Sequence, residues 1–235
     1  MAINAGDTTY YQAKRGIVQD GLVLNLDAAV DASYPGNGTT WYDLAGSNSG
    51  TLTNGPTFDS ANGGGIVFDG TDDYVAGGDT SDVNNHCSLA VWWIATGPPT
   101  NNDSYGATLF AQSPDIQNGI IIGHGWINQR VGFSVRINDI LYTSDSTALQ
   151  NTINYVIATH DGSTQKIYIN GQLSTSRSYS SSPVVSNPSY RIGKWGYSSY
   201  QRNLQGKIYS VALYNRALTA AEVLQNYNAT KGRFE

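Results

Sequence analysis

The segment INYVIATHDGSTQKIYINGQLSTS, residues 153–176, restricts the fold more than any other part of the chain. It reads as three consecutive strands. Asp161-Gly162 opens the first turn, and Asn170-Gly171 supplies the positive-φ pair that a two-residue type I′ hairpin demands. A period of two recurs elsewhere. GLVLNLDA sets Leu22, Leu24 and Leu26 against Val23, Asn25 and Asp27, and RVGFSVRI sets Val131, Phe133, Val135 and Ile137 against Gly132, Ser134 and Arg136. CSLAVWWIA (87–95) is apolar on both parities, which predicts a central strand covered on both faces. Units of this spacing imply an all-β sandwich.

One helix is expected, over about 219–229. In LTAAEVLQNY, Thr219 is placed at the N-cap and Glu222 at N3, a capping box, with Leu218 and Val223 able to staple across it and Val223, Leu224 and Tyr227 forming an apolar stripe. In the strand before it, Ile208 and Val211/Leu213 fall on opposite parities, which predicts a bulge near Ser210. Residues 1–20 show no clear period and read either as a loose terminus or as an arm that orders on a partner. In the second case Tyr10 and Tyr11 would be the anchors, with Lys14 and Arg15 beside them. Residues 21–235 read as one domain.

A chain of 235 residues can bury roughly 70–75% of its unfolded surface, so it needs no disulfide staples, and the single cysteine, Cys87, reads as a small buried hydrophobe. Only 13% of residues are charged, the net charge is −5, and no Lys/Arg run exists, so a nucleic-acid backbone has little to hold. No apolar h-region or twenty-residue apolar run is present. The expectation is synthesis in the cytoplasm without a secretory signal, and no membrane partner. The 26 glycines and 16 tyrosines among many Ser, Thr and Asn describe a turn-rich protein with a neutral, hydrogen-bonding surface.

Enzyme chemistry finds little to work with. Glu222 and Glu235 are the only glutamates, so the paired glutamates of a sandwich-fold glucanase cannot be written. His86, His124 and His160 lack zinc-site spacing, and no nucleophile elbow or phosphate loop occurs. The chain is therefore expected to be non-enzymatic, with no cofactor required. Calcium is the metal it could carry, through Asp43 with the Gly46–Asn48 region, Asn48 included, or through Asp69, Asp72 and Asp73 in IVFDGTDDYV. For the second set, strand-end turn chemistry is the competing explanation, because Asx side chains bond their own backbone two residues on. Sugar binding would use exposed rings beside amides: Trp126 and Asn128 in GHGWINQR, and Trp195, Tyr197 and Tyr200 in GKWGYSSYQRN. The alternative for these rings is sandwich-end or interface packing. Trp41, Trp92 and Trp93 sit in strand-like contexts and read as core.

IVFDGTDDYV, SLAVWWIATG, YVIATHDGSTQKIYINGQ and GKIYSVALYNRALTAAEVLQNY occur in the order seen in laminin-G-like, concanavalin A-like jelly-roll domains, which the chain resembles over roughly residues 21–230. The resemblance implies two stacked antiparallel sheets in a jelly roll, and a binding module of a kind that in some members holds calcium or glycans. It also implies that Asp69, Asp72 and Asp73 form first of all a hairpin corner. The Asp43 loop, YDLAGSNSG, departs from the more Asn-rich turn of such domains. The lead-in GLVLNLDAAVDASYPGNGTTWYDLAGSNSGTLTNGPTF and the close LQNYNATKGRF further resemble virion-associated proteins of tailed bacteriophages. What this implies is a virion surface component: a capsid decoration or head-fibre protein, or a tail-associated module. Its partners would be other virion structural proteins, cell-surface glycans and further copies of itself. The alternative is a dedicated carbohydrate-binding lectin.

Overall fold

The structure, a computed structural model, describes residues 16–83, 86–98, 106–112, 119–125, 130–135, 141–142, 150–178, 188–195 and 202–235. In chain order the strands are β1 (Leu22–Asp27), β2 (Thr40–Trp41), β3 (Gly50–Thr53), β4 (Thr57–Asp59), β5 (Gly65–Asp69), β6 (Tyr74–Gly77), β7 (His86–Gly97) and β8 (Ala107–Gln112). They continue with β9 (Ile121–Gly125), β10 (Arg130–Ser134), β11 (Leu141–Tyr142), β12 (Asn154–Asp161), β13 (Thr164–Ile169), β14 (Gln172–Ser178), β15 (Tyr190–Ile192) and β16 (Gln205–Tyr214). A single α-helix among the described residues, α1 (Ala220–Thr230), follows. One sheet runs β14-β13-β12-β7-β16-β5-β4, with β1 also paired to β16. The other runs β11-β10-β9-β8-β15-β6-β3-β2. The strand ladders are antiparallel, and the whole is the two-sheet sandwich that the alternation predicts. Among the described residues no helix is long and apolar enough to cross a membrane.

The two parities of β7 explain the architecture. Leu89, Val91, Trp93 and Ala95 enter the core between the sheets, whereas Ala90, Trp92 and Ile94 belong to a second cluster on the outer face, with Tyr155, Ile157, Tyr209, Tyr214, Leu218 and Val223. That outer face would be wet without a cover, and α1 supplies one. The capping box is formed: Thr219 Oγ1 accepts from Glu222 N at 3.3 Å and Glu222 Oε2 from Thr219 N at 2.8 Å. Cys87 is buried in the inner core, where loss of hydration pushes its thiol up to about 12.

Local expectations hold where the chain dictates its own geometry. Asn170 and Gly171 have φ of 49° and 80°, and the Asn170 carboxamide accepts from Tyr155 N at 2.9 Å, pinning the β13–β14 turn to β12. The bulge near Ser210 is present as a register shift between Ile208 and Ser210. In β1 the simple alternation needs correcting. A further register shift between Leu22 and Leu24 sends Leu22 to the outer cluster and brings Val23 against the inner core. The segment just before β1 is also tied down. Val18 is buried in the outer cluster, its N–H donates to Asn226 Oδ1 at 2.8 Å, and its carbonyl accepts from the Tyr214 hydroxyl at 3.1 Å.

Candidate functional site

The acidic corner joins β5 to β6. Asp69 Oδ1 accepts from Thr71 N at 2.7 Å, and Asp73 Oδ2 reaches back to Asp69 N at 3.0 Å. Gly70 takes φ +84°, which lets the chain reverse. Neighbouring segments stitch the corner in place: Asn54 Nδ2 donates to the Asp72 carbonyl at 3.2 Å, and Asn203 Nδ2 donates to the Thr71 carbonyl. One oxygen from each of Asp69, Asp72 and Asp73 lies within 4.8 Å of the others. Asp69 and Asp72 are exposed, whereas Asp73 is buried. Burial raises the Asp73 carboxyl above the usual carboxylate range, the Asp69 N–H opposes that shift, and the charges of Asp69 and Asp72 add to it. The bonds are those of an Asx-type hairpin corner, and they already occupy two of the six carboxylate oxygens.

The Asp43 loop is organised in the same way. Asp43 Oδ1 accepts from Asn25 N and Ala45 N, each at 2.9 Å, and Oδ2 accepts from Asn48 N at 3.1 Å. The Asn48 carbonyl receives the Tyr190 hydroxyl at 2.6 Å. Tyr190 reaches it across Gly77, where an added Cβ would overlap the tyrosine ring. The proposed metal ligands Asp43 and Asn48 are thus brought together, but as a backbone-organising hub with three N–H donors on one carboxylate.

Of the expected sugar-stacking residues, Trp126, Asn128, Tyr197 and Tyr200 lie outside the described residues, as do the arm residues Tyr10, Tyr11, Lys14 and Arg15. Trp195 is described, and the exposure expected of it is not found. Its side chain is 3% exposed, with the Arg202 guanidinium 4.2 Å from the ring centroid. The cation holds a ring face that a sugar would otherwise need. Trp41, Trp92 and Trp93 are buried, as their strand contexts predict.

Both glutamates have structural partners. Glu222 forms a fork with Arg216, at 2.6 and 3.0 Å, and this pairing, with the Thr219 bonds, draws its carboxyl down to about 2. Glu235 pairs with Lys231 at 2.8 Å. Asn226 was not legible as a key residue. On a helix it reads as solvent-facing, yet it is wholly buried, accepting from Val18 N and donating to the Tyr214 hydroxyl at 2.9 Å. The available signal was its position three residues after Val223, on the apolar side of the helix.

The sequence model of the concanavalin A-like lectin/glucanases superfamily matches residues 69–224, about two thirds of the chain. The chain belongs to this superfamily. No curated protein matches it in sequence. Solved structures share the fold at low identity. Domain 4 of AbnA, an extracellular GH43 arabinanase from Geobacillus stearothermophilus, in complex with arabinotriose, is similar at TM-score 0.69 and 16% identity, covering 88% of this chain and 98% of that domain. The botulinum neurotoxin serotype D binding domain is similar at TM-score 0.69 and 16% identity, over 89% of this chain but 51% of that one. The Trypanosoma rangeli sialidase in complex with the inhibitor DANA is similar at TM-score 0.62 and 14% identity, over 90% and 33%. The chain therefore spans about half of the toxin domain and a third of the sialidase.

Proposed function

We propose that the chain is a carbohydrate-binding, lectin-type module that holds a glycan without cleaving it. The observation that carries this reading is the extent of the shared unit: nearly all of a domain seen with arabinotriose, but only a third of a sialidase. The carboxylates support it. Among the described residues both glutamates are committed to the helix cap and a terminal ion pair, and the three clustered aspartates build a turn. A general acid and its partner need carboxyls flanking a bond to be broken, and these groups are engaged by Arg216, Lys231 and the corner's own backbone instead. The test is a glycan array on the whole chain, with a reducing-end assay on every polysaccharide it retains. Retention without release of ends is expected. Release abolished by one Asp→Asn change that leaves the fold intact would overturn the non-enzymatic reading, and no retention on any glycan would overturn the binding reading.

The finer setting we infer is display on the surface of a tailed-phage particle, after synthesis in the host cytoplasm, with capsid or tail proteins as partners. What favours it is the likeness of the lead-in and the close to virion proteins, in segments that lie largely outside the 69–224 match. Deleting residues 1–15, which spares the buried Val18, and counting the protein on purified particles tests the tether. Unchanged incorporation removes it.

A further inference from the structure

The outer face of the β1–β16–β7 surface is not filled everywhere. Asn25, Ala212 and Ala90 lie in one cross-strand row, and Asp27, Ser210 and Trp92 in the next. On a face otherwise carrying Trp92, Tyr155, Tyr209 and Tyr214, the two alanines and the serine leave a depression. α1 and residues 16–17 roof part of it, leaving a partly open cavity of about 200 Å³.

Its polar groups are uncommitted in a particular way. The Asn25 backbone is engaged, its N–H by Asp43 and its carbonyl by Leu44 N, but among the described residues no hydrogen bond uses its side-chain amide. Asp27 accepts from Ala29 N at 2.9 Å and from the Arg233 guanidinium at 2.7 Å, both through Oδ1, which orients the carboxylate and leaves Oδ2. Among the described residues the Ser210 hydroxyl makes no hydrogen bond either. All three residues are only half buried, so their free groups stay within reach of solvent and ligand. The opposite wall is rigid. Trp92 packs on the rings of Tyr155 and Phe234 at 4.7 and 4.3 Å, and its indole N–H donates to Thr230 Oγ1 at 2.8 Å.

An amide, a carboxylate oxygen and a hydroxyl beside an alanine floor form a surface for a small ligand bearing hydroxyls on one face and C–H groups on the other. We propose that this cavity binds one neutral sugar unit. Asn25 and Ser210 would donate to and accept from ring hydroxyls, Asp27 Oδ2 would accept from one, and Ala90 and Ala212 would meet the C–H face. A sugar carboxylate placed against Asp27 Oδ2 would meet an acceptor with no proton to give, which disfavours acidic sugars there. The proposal rests on the carbohydrate-binding reading above and gives it a place.

The experiment is a titration of the whole ¹⁵N-labelled chain with D-glucose, D-galactose, D-mannose, L-arabinose and, as the acidic control, N-acetylneuraminic acid, followed by amide shifts. The expected result is perturbation by at least one neutral sugar centred on residues 25–27, 90–92 and 210–212, and none by the acidic one. Asn25→Ala and Ser210→Ala should each weaken that binding about tenfold. Ala212→Leu, which fills the floor, should abolish it. Unfolding curves run in parallel show whether each variant is folded, and the two polar truncations carry the test if Ala212→Leu is not. Perturbations centred elsewhere, or affinity unchanged in folded Asn25→Ala and Ser210→Ala, overturn the site while leaving a glycan-binding module intact. No response here together with a blank glycan array overturns both.

Discussion

The two faces of the β7 sheet use the same strands for different ends. The inner face is sealed by large side chains meeting the second sheet, with Leu89, Val91 and Trp93 of β7 fully buried. From the second sheet a dry histidine faces it: the His124 ring lies tilted against Trp93, centroids 4.7 Å apart, and among the described residues neither ring nitrogen has a hydrogen-bond partner. The outer face is sealed by one helix, and it mixes rings with groups that hydrogen-bond, such as Asn226, Tyr214 and Thr230. A helix covers a narrower strip than a sheet does, so the outer face ends in a partly open cavity. The contrast teaches that stability is concentrated between the sheets, while shape and chemistry are free to vary under the helix.

The most severe challenge to that contrast is a pair of truncations. Trp93→Ala should cost about 3–5 kcal/mol in urea unfolding, and Trp92→Ala about half as much, because water can enter from the adjoining cavity. Equal costs would erase the distinction. Next comes pH. Burial holds the His124 imidazole down at about 4, against 6.5 when unfolded. The unfolded chain then takes up the proton first, so stability should be complete above pH 6.5 and fall by about 2–3 kcal/mol on going to pH 4. His124→Phe should flatten that slope, and a slope unchanged in the variant would place its cause elsewhere.

On the outer face, Asn226→Ala strands the Val18 N–H and removes the donor to the Tyr214 hydroxyl, and should cost about 2 kcal/mol. Faster hydrogen exchange confined to residues 16–20 and α1 would sharpen the comparison, whereas loosening throughout the inner core would blur it. The Glu222 carboxyl, lowered from 4.5 to about 2, contributes stability that is present above pH 4.5 and is lost as pH falls towards 2. About 1 kcal/mol is expected once solvent screening is allowed for, and Glu222→Gln should remove it. The smallest effect belongs to Asp73, whose raised carboxyl works in the opposite direction. Its contribution declines as pH rises above 3.8, so Asp73→Asn should be tolerated at neutral pH and should flatten that part of the profile. If the corner is a turn and nothing more, neither calcium nor EDTA moves the melting temperature, and a calcium-induced rise that Asp73→Asn abolishes would make it a metal site.

Much of this was readable because it is local. Asn170-Gly171 carries its own φ preference, Thr219 and Glu222 cap a helix within one turn, and β7, apolar on both parities, announces two covered faces. Trp195 departs from the expected exposure for the converse reason. Glycine-rich surroundings suggested exposure, but Arg202, seven residues on, comes back over the ring. Asn226 hid in the same way, since its partners Val18 and Tyr214 lie 208 and 12 residues away.

The order of residues alone determined the strands, the hairpins, the capped helix and the poverty in glutamate, since each depends on neighbours in the chain or on composition. Only the tertiary structure decided which carboxylates are occupied, which indole is covered and where space is left over. Those outcomes depend on side chains from distant strands arriving at one place, and the cavity floor of Asn25, Ala212 and Ala90 exists only because register sets three strands side by side.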